Sequence, residues 1–353
     1  MTIDYRHLKR MTDEGGMLQF ARLNMPDTDS GYTVDDNARA LLVALNMEGE
    51  ERRELVGVYM RFLDAAQQTD GRWCNWKLNG RFVTAIDSDD SQGRAFLSCC
   101  AASLCELQDV REAGRRMALR ALPALVALKW PRSVAYTLLG ICLNPGLSDR
   151  RSGALAGVAR DFSNYLIGLY DRSRHRNWHW FEDDLTYCNG ILPHALFAYY
   201  SFAQDRKALR VARDTLGFLT DALFARGYLS IVGNRGWWHR GTEIPCYDQQ
   251  PVDACSTALA YARAFRATGD SQYRSLAELA YSWYQGSNIN RISLYDATTG
   301  GCYDALIPDG VNLNQGAESL LSLLLSQQVI SGMTSTGQDT EIRGRTQEAG
   351  SQS

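Results

Sequence analysis

The sequence predicts an all-α fold, an (α/α)6 barrel of six helical hairpins closed into a toroid. Two observations predict it. First, apolar residues recur with helical periodicity over 5–24, 36–47, 50–68, 91–108, 110–128, 132–143, 151–171, 184–203, 205–224, 251–268, 270–285 and 315–329. Second, these segments alternate in character. The second of each pair is apolar and rich in small residues, as in Ala38–Leu45, Ile191–Phe202 and Ala254–Phe265. Its partners carry charge, as in Glu50–Glu54, Arg111–Arg120 and Gln272–Glu278. A helix apolar on every side belongs in an interior, and one with a charged stripe faces water. An open solenoid would repeat at a fixed period. Here the spacing of the apolar helices varies up to about sixty residues, which favours a closed ring.

The connections carry the next step. Short links follow the apolar helices, whereas links over 69–90, 172–183, 225–250 and 286–314 precede them. Loops beyond ~12–15 residues are usually functional in a compact domain. In the barrel all of them fall at one end. One domain is expected over 1–330, and the polar stretch 331–353 is expected to be a disordered tail.

Composition narrows the partners. A net charge of −3 with 22% charged residues leaves no basic surplus for nucleic-acid phosphates. No run reaches the ~18 apolar residues of a membrane span, and Met1–Arg6 lacks a signal peptide's apolar run, so a cytoplasmic protein with no membrane partner is expected. The nine cysteines are scattered, with no CxxC pair, and the five histidines contain no HExxH, so neither metal nor cofactor is expected.

The stretch Gly31–Leu45 organises the rest: a polar turn with adjacent carboxylates, Asp35 and Asp36, runs straight into an apolar helix. The device recurs with Asp87, Asp89 and Asp90, with Glu182, Asp183 and Asp184, with Asp248 and Asp253, and with Glu318. Six of the eight tryptophans lie in the long links (Trp73, Trp76, Trp178, Trp180, Trp237, Trp238), a bias that points to a ligand surface. Tyr32, Tyr187, Tyr247 and Tyr295 accompany them, with the amides Asn37, Asn189, Gln249, Gln250, Asn312, Asn314 and Gln315. Carboxylates, flat aromatics and amides together suit a neutral ligand rich in hydroxyls, such as a sugar. Plainer roles compete. Asp36, Asp90 and Asp184 suit helix N-caps, Trp237 and Trp238 suit lid packing, and Arg94 and Arg240 suit internal ion pairs. Capping does not account for Glu182 or Glu318.

The runs GYTVDDNARALL, DSDDSQGRAF, WFEDDLTYCNGILPHAL, YDQQPVDA, LYDATTGGC and GVNLNQGAESLL resemble a bacterial domain of the six-hairpin glycosidase superfamily, over about residues 10–330. Such domains are often fused behind a glycosyltransferase or encoded near mannoside phosphorylases. The resemblance implies the toroid, an oligosaccharide or glycoside substrate, and a glycosyltransferase as partner. Relatives carry Asp where Cys188 stands and His where Gln92 stands, which implies a shifted substrate or weakened catalysis here.

Three functions follow. The leading one is a glycoside hydrolase with paired carboxyls: Glu182 or Asp183 as acid, and Asp36, Asp253 or Glu318 as base. Across the ring Asp36 faces Glu182 and Asp183, and Asp90 faces Asp253. An open funnel favours inversion, with ~6.5–9.5 Å between carboxyls. Substrate contacts are expected from Tyr32, Asp35, Asn37, Asp90, Arg94, Trp180, Tyr187, Trp237, Trp238, His239, Arg240, Asp248, Gln249, Gln250, Asn314 and Gln315. The second is a sugar epimerase or isomerase, which wants paired histidines; His194 and His239 are available but form no clear pair. The third is a non-catalytic carbohydrate-binding partner of a glycosyltransferase.

Overall fold

The computed structural model describes residues 2–147 and 152–349, with side chains described over 2–147 and 153–333. Its helices are α1 (Arg6–Arg10), α2 (Val34–Leu45), α3 (Glu51–Ala66), α4 (Asp89–Ala102), α5 (Gln108–Leu125), α6 (Pro131–Leu143), α7 (Ser152–Ser173), α8 (Ile191–Ala203), α9 (Arg206–Leu223), α10 (Pro251–Thr268), α11 (Ser271–Ser282) and α12 (Ala317–Ala349). Helix α2 packs on α4, α4 on α6, α6 on α8, α8 on α10, α10 on α12, and α12 back on α2. That circuit is the inner ring of an (α/α)6 toroid. Helices α3, α5, α7, α9 and α11 lie outside it, each against an inner neighbour.

Local chemistry sets the inner helix starts. The Thr33 hydroxyl caps α2 by accepting from the Asp36 N–H (3.1 Å), and Ser88 caps α4 by accepting from the Ser91 N–H (3.2 Å). The capping roles expected of Asp36 and Asp90 therefore belong to residues before them, and both carboxyls project from the first turn. Pro131 and Pro251 open α6 and α10, where a missing N–H costs nothing.

Three helices differ from expectation. The segment 5–24 is helical only in α1; two hairpins follow, Thr12–Asp13 with Gly16–Met17 and Ala21–Arg22 with Met25–Pro26. Gly16 has φ 131°, and a Cβ there would lie 2.7 Å from the Asn37 Oδ1. The chain must turn at that point. Helix α8 starts at Ile191 rather than at 184, because Asp184–Leu185 pairs with Trp238–His239 as a short antiparallel ladder. Cys188 then sits at φ 48°, a left-handed conformation that keeps the helix from starting earlier. At the other end, the backbone of α12 is helical to Ala349, across most of the stretch expected as a tail, and residues 350–353 lie outside the described residues. Among the described residues no helix is long and apolar enough to cross a membrane.

Small residues let the ring close. A Cβ on Gly93 of α4 would lie 2.7 Å from the Ser133 carbonyl oxygen of α6, and one on Gly190 would lie 2.2 Å from the Ser256 carbonyl oxygen of α10. Overpacking a filled core costs ~1–3 kcal/mol, so Gly190→Ala is expected to lower the melting temperature. Gly217, exposed on α9, has nothing within 4 Å of a built Cβ. There the better helix propensity of alanine gains up to ~1 kcal/mol. Thermal melts of the two variants check the close approach. Equal midpoints would remove it.

Candidate functional site

The inner helices all start at the end of the barrel that carries the long links, so their N-termini, each bearing a partial positive charge, converge on one mouth. Two cavities open there. A wide lobe of about 1030 Å³ includes Asp90, Gln92, Trp130, Arg132, Glu182 and Tyr187 in its wall. A narrow lobe of about 470 Å³ includes Phe20, Asp36, Arg39, Ile86, Gln250 and Glu318. Asp35, Ser88 and Arg94 line both and form the partition.

Three buried arginines on successive inner helices hold this floor together. Arg39 of α2 donates from Nη1 to Asp36 (3.0 Å) and from Nη2 to Glu318 of α12 (2.8 Å). Arg94 of α4 donates to Asp35 (2.6 Å), lies 3.8 Å from Asp90, and stacks 4.7 Å above the Tyr136 ring. Arg132 of α6 donates to Glu182 (2.9 Å), the Thr186 hydroxyl (2.7 Å) and the Tyr187 carbonyl (2.6 Å), and lies 4.7 Å from the Tyr187 ring. The Tyr187 hydroxyl closes the circuit by donating to Asp90 (2.8 Å).

Burial and charge divide the carboxyls into two kinds. Burial alone would raise Asp35, but Arg94 and Arg39 outweigh it and hold the group below its ordinary value. Its neighbour Asp36 is pushed up to about 6: burial dominates, Arg39 and the Thr33 hydroxyl oppose it, and the negative charges of Glu318 and Asp35 reinforce it. Asp253 of α10 accepts from the Cys188 N–H (2.6 Å) yet is pushed up to about 7 by burial, with Glu318 adding to it. Burial pushes the Cys188 thiol up to about 11, so it is neutral. Asp36 and Asp253 therefore hold their protons to a higher pH than an ordinary carboxyl does, beside Asp35, which gives its proton up at a lower one.

The structure brings Asp35, Asp36, Asp90, Arg94, Tyr187, Glu182, Gln250 and Glu318 to the two lobes. Other residues expected at the site stand elsewhere. Asp253 is buried behind the floor and is absent from the walls of both lobes. Asp183 is exposed on the rim, paired with Arg240 (3.1 Å), and His239 pairs with Asp184 beside it. Trp180 is fully buried against Phe181. Trp238 stacks on Phe218, while the Trp237 ring lies 6.3 Å from Tyr187 at the edge of the wide lobe. Tyr32 donates to Asp13 (2.7 Å), Asn37 accepts from the Met17 N–H (2.8 Å), and Asn314 accepts from the Leu23 N–H (2.9 Å). Gln249 accepts from the Trp283 indole (3.0 Å), Gln315 donates to Asp296 (2.9 Å), and Asp248 pairs with Arg235 (2.9 Å). These last six hold loops, hairpins and helix ends to one another.

Sequence reasoning missed Arg39, Arg132, Trp130 and Asp304. Arg39 is a charge inside an otherwise apolar helix, and that oddity was the available signal. Trp130, 68% exposed on the wide lobe, directly precedes the proline that opens α6. Asp304 lines the narrow lobe, accepts from the Gly316 N–H (2.7 Å) and the Ser319 hydroxyl, and is held above its ordinary value by burial. Among the described residues no group of three His, Cys, Asp or Glu side chains could hold a metal ion.

The raised Asp253 makes a stability prediction. Its folded value of about 7 exceeds the ordinary aspartate value of 3.8, so the folded state holds the proton more tightly. The resulting stability is complete below ~4 and is lost as pH rises through about 7. Asp253→Asn should therefore flatten the fall in urea midpoint between those pH values. A variant with the wild-type slope would contradict the assignment.

No family model and no curated protein matches the sequence. Solved structures do. The chain is similar to a cellobiose 2-epimerase from Spirochaeta thermophila (TM-score 0.70, 13% identity, 92% of this chain and 91% of that one). It is similar to a D-mannose isomerase (TM-score 0.67, 12% identity, 93% and 95%). It is also similar to a family 76 α-mannanase from Bacteroides thetaiotaomicron (TM-score 0.61, 13% identity, 86% and 87%). At these identities the likeness is one of fold: the chain is an (α/α)6 toroid over nearly its whole length.

Proposed function

We propose that this protein is a carbohydrate-active enzyme, a glycoside hydrolase, whose bond-breaking groups lie in the narrow lobe. One observation carries the reading: Arg39 holds there both a buried carboxyl raised to about 6, Asp36, and a half-exposed partner, Glu318. A carboxyl that keeps its proton can protonate the leaving oxygen, while a second carboxylate activates water. The raised Asp36 suits the acid role rather than the base role expected from sequence, and Glu318 keeps the base role. The open lobe leaves room for the water of an inverting displacement. Asp253, behind the floor, orients the Cys188 backbone and is a positioning residue. Neutral substrate is favoured by the acid-rich walls, with Trp130 and Tyr187 as stacking faces in the wide lobe.

The solved epimerase and isomerase structures keep a second reading in view, but the histidines speak against it. Among the described residues no imidazole lines either lobe. His7 is buried and bonded to the Gln315 carbonyl oxygen, and His239 is on the exposed rim hairpin. His194 is held well below its ordinary value by burial, with Arg263 and Arg266 adding to it. A glycosyltransferase partner and a cytoplasmic location rest on the sequence alone.

Assays on a panel of glucosides and mannosides test the proposal. Asp36→Asn and Glu318→Gln should each lower kcat by ~10²–10⁴-fold, read at a temperature where both variants are still folded, because each also removes a partner of the buried Arg39. Wild-type activity should fall as pH rises through about 6, where Asp36 loses its proton. Solvent deuterium appearing at a sugar carbon would favour epimerisation. Binding without turnover would make the domain a carbohydrate binder.

A further inference from the structure

Among the described residues eleven large apolar side chains stand in solvent, and five of them gather at one edge of the mouth. They are Phe20 (55% exposed), Leu23 (58%), Met25 (62%), Ile86 (41%) and Leu313 (53%). Phe20 and Ile86 line the narrow lobe together with Asp36 and Glu318. Leu23 and Met25 sit on the hairpin that follows Phe20. Leu313 adjoins them, because the Leu23 N–H donates to the Asn314 Oδ1 and the Leu23 carbonyl accepts from the Gln315 N–H, both at 2.9 Å. Contiguous exposed apolar groups beside polar ones mark a ligand-binding groove more often than chance. Hydroxyl-rich sugar units would leave this edge unsatisfied.

We propose that this edge is an aglycone subsite, so that the narrow lobe takes glycosides whose leaving group is an apolar alkyl or aryl chain. The chain lies on Phe20 and Ile86 and runs outward over the hairpin and Leu313. The inference rests on the hydrolase reading for the bond that breaks. Asp36 gives its proton to the glycosidic oxygen, and the carbon–oxygen bond breaks with its electron pair staying on that oxygen, which departs as the apolar alcohol. Water adds its hydroxyl to the sugar carbon, and its remaining proton passes to Glu318. The apolar wall has a second effect: it keeps water from the acid and supports the burial that raises it.

The test uses the full chain with methyl, hexyl and octyl glucosides and mannosides below their micelle-forming concentrations. Binding is read by calorimetry and hydrolysis by released sugar. Affinity should rise about two-fold per added methylene, half the effect of full burial. Phe20→Ser and Met25→Ser should flatten that slope, whereas Leu104→Ser, equally exposed just past α4, should not. Affinity independent of chain length overturns the subsite, as does a slope unchanged in Phe20→Ser. A flat slope with binding to phosphatidylcholine vesicles reassigns the edge to a membrane surface, and one with Phe20-dependent dimerisation reassigns it to a second copy. A slope without turnover keeps the subsite and removes the hydrolase reading; turnover without a slope does the reverse.

Discussion

Everything at the mouth depends on three guanidinium groups placed where helix N-termini already concentrate positive charge. Arg39, Arg94 and Arg132 have side chains only 9%, 8% and 6% exposed. A buried charge that loses its partner is strongly destabilising, at ~3–5 kcal/mol. The carboxylates of Asp35, Asp36, Glu182 and Glu318 are therefore structural before they are anything else. The network also links α2 to α4, α6 and α12, so it fixes the relative positions of four of the six inner helices. Asp36 accepts from the same network as Asp35, but burial and its negative neighbours make it hold its proton to a higher pH, about 6.

That division explains how much of the molecule was legible in the sequence. The ring of inner helices could be read because burial on all sides leaves a plain trace: Ala, Gly, Ser and Cys where outer helices carry Arg and Glu. The mouth could be read because long links precede inner helices. Residue roles were harder. Asn37, Gln315 and Asn314 look like ligand contacts at the start of an apolar helix, yet each is spent on bonding to another segment of the chain, and a partner 19, 20 or 291 residues away has no local signature. Trp180 and Trp237 are close in composition context, but one is fully buried and the other stands at the edge of a lobe. The hairpins replacing the first helix were signalled by Gly15-Gly16, a cue outweighed by the apolar spacing around it.

Gln92 and Cys188, the two positions that the sequence resemblance singles out, lie in the frame rather than at its margin. Gln92 grips the Trp73 backbone at both ends, accepting from its N–H and donating to its carbonyl at 2.7 Å each, and it lines the wide lobe. Cys188 holds the left-handed turn that aims its N–H at Asp253. Both act through backbone and shape.

The central claim is that a buried carboxyl in the narrow lobe keeps its proton at a pH where ordinary carboxylates have lost theirs. Infrared spectroscopy of the carboxylic C=O stretch at pH about 5, below the value of about 6 for Asp36, reads this directly. The account predicts a protonated-carboxyl band in the wild type that loses intensity in Asp36→Asn and titrates away as pH rises. A spectrum in which Asp36→Asn leaves that band unchanged would contradict it.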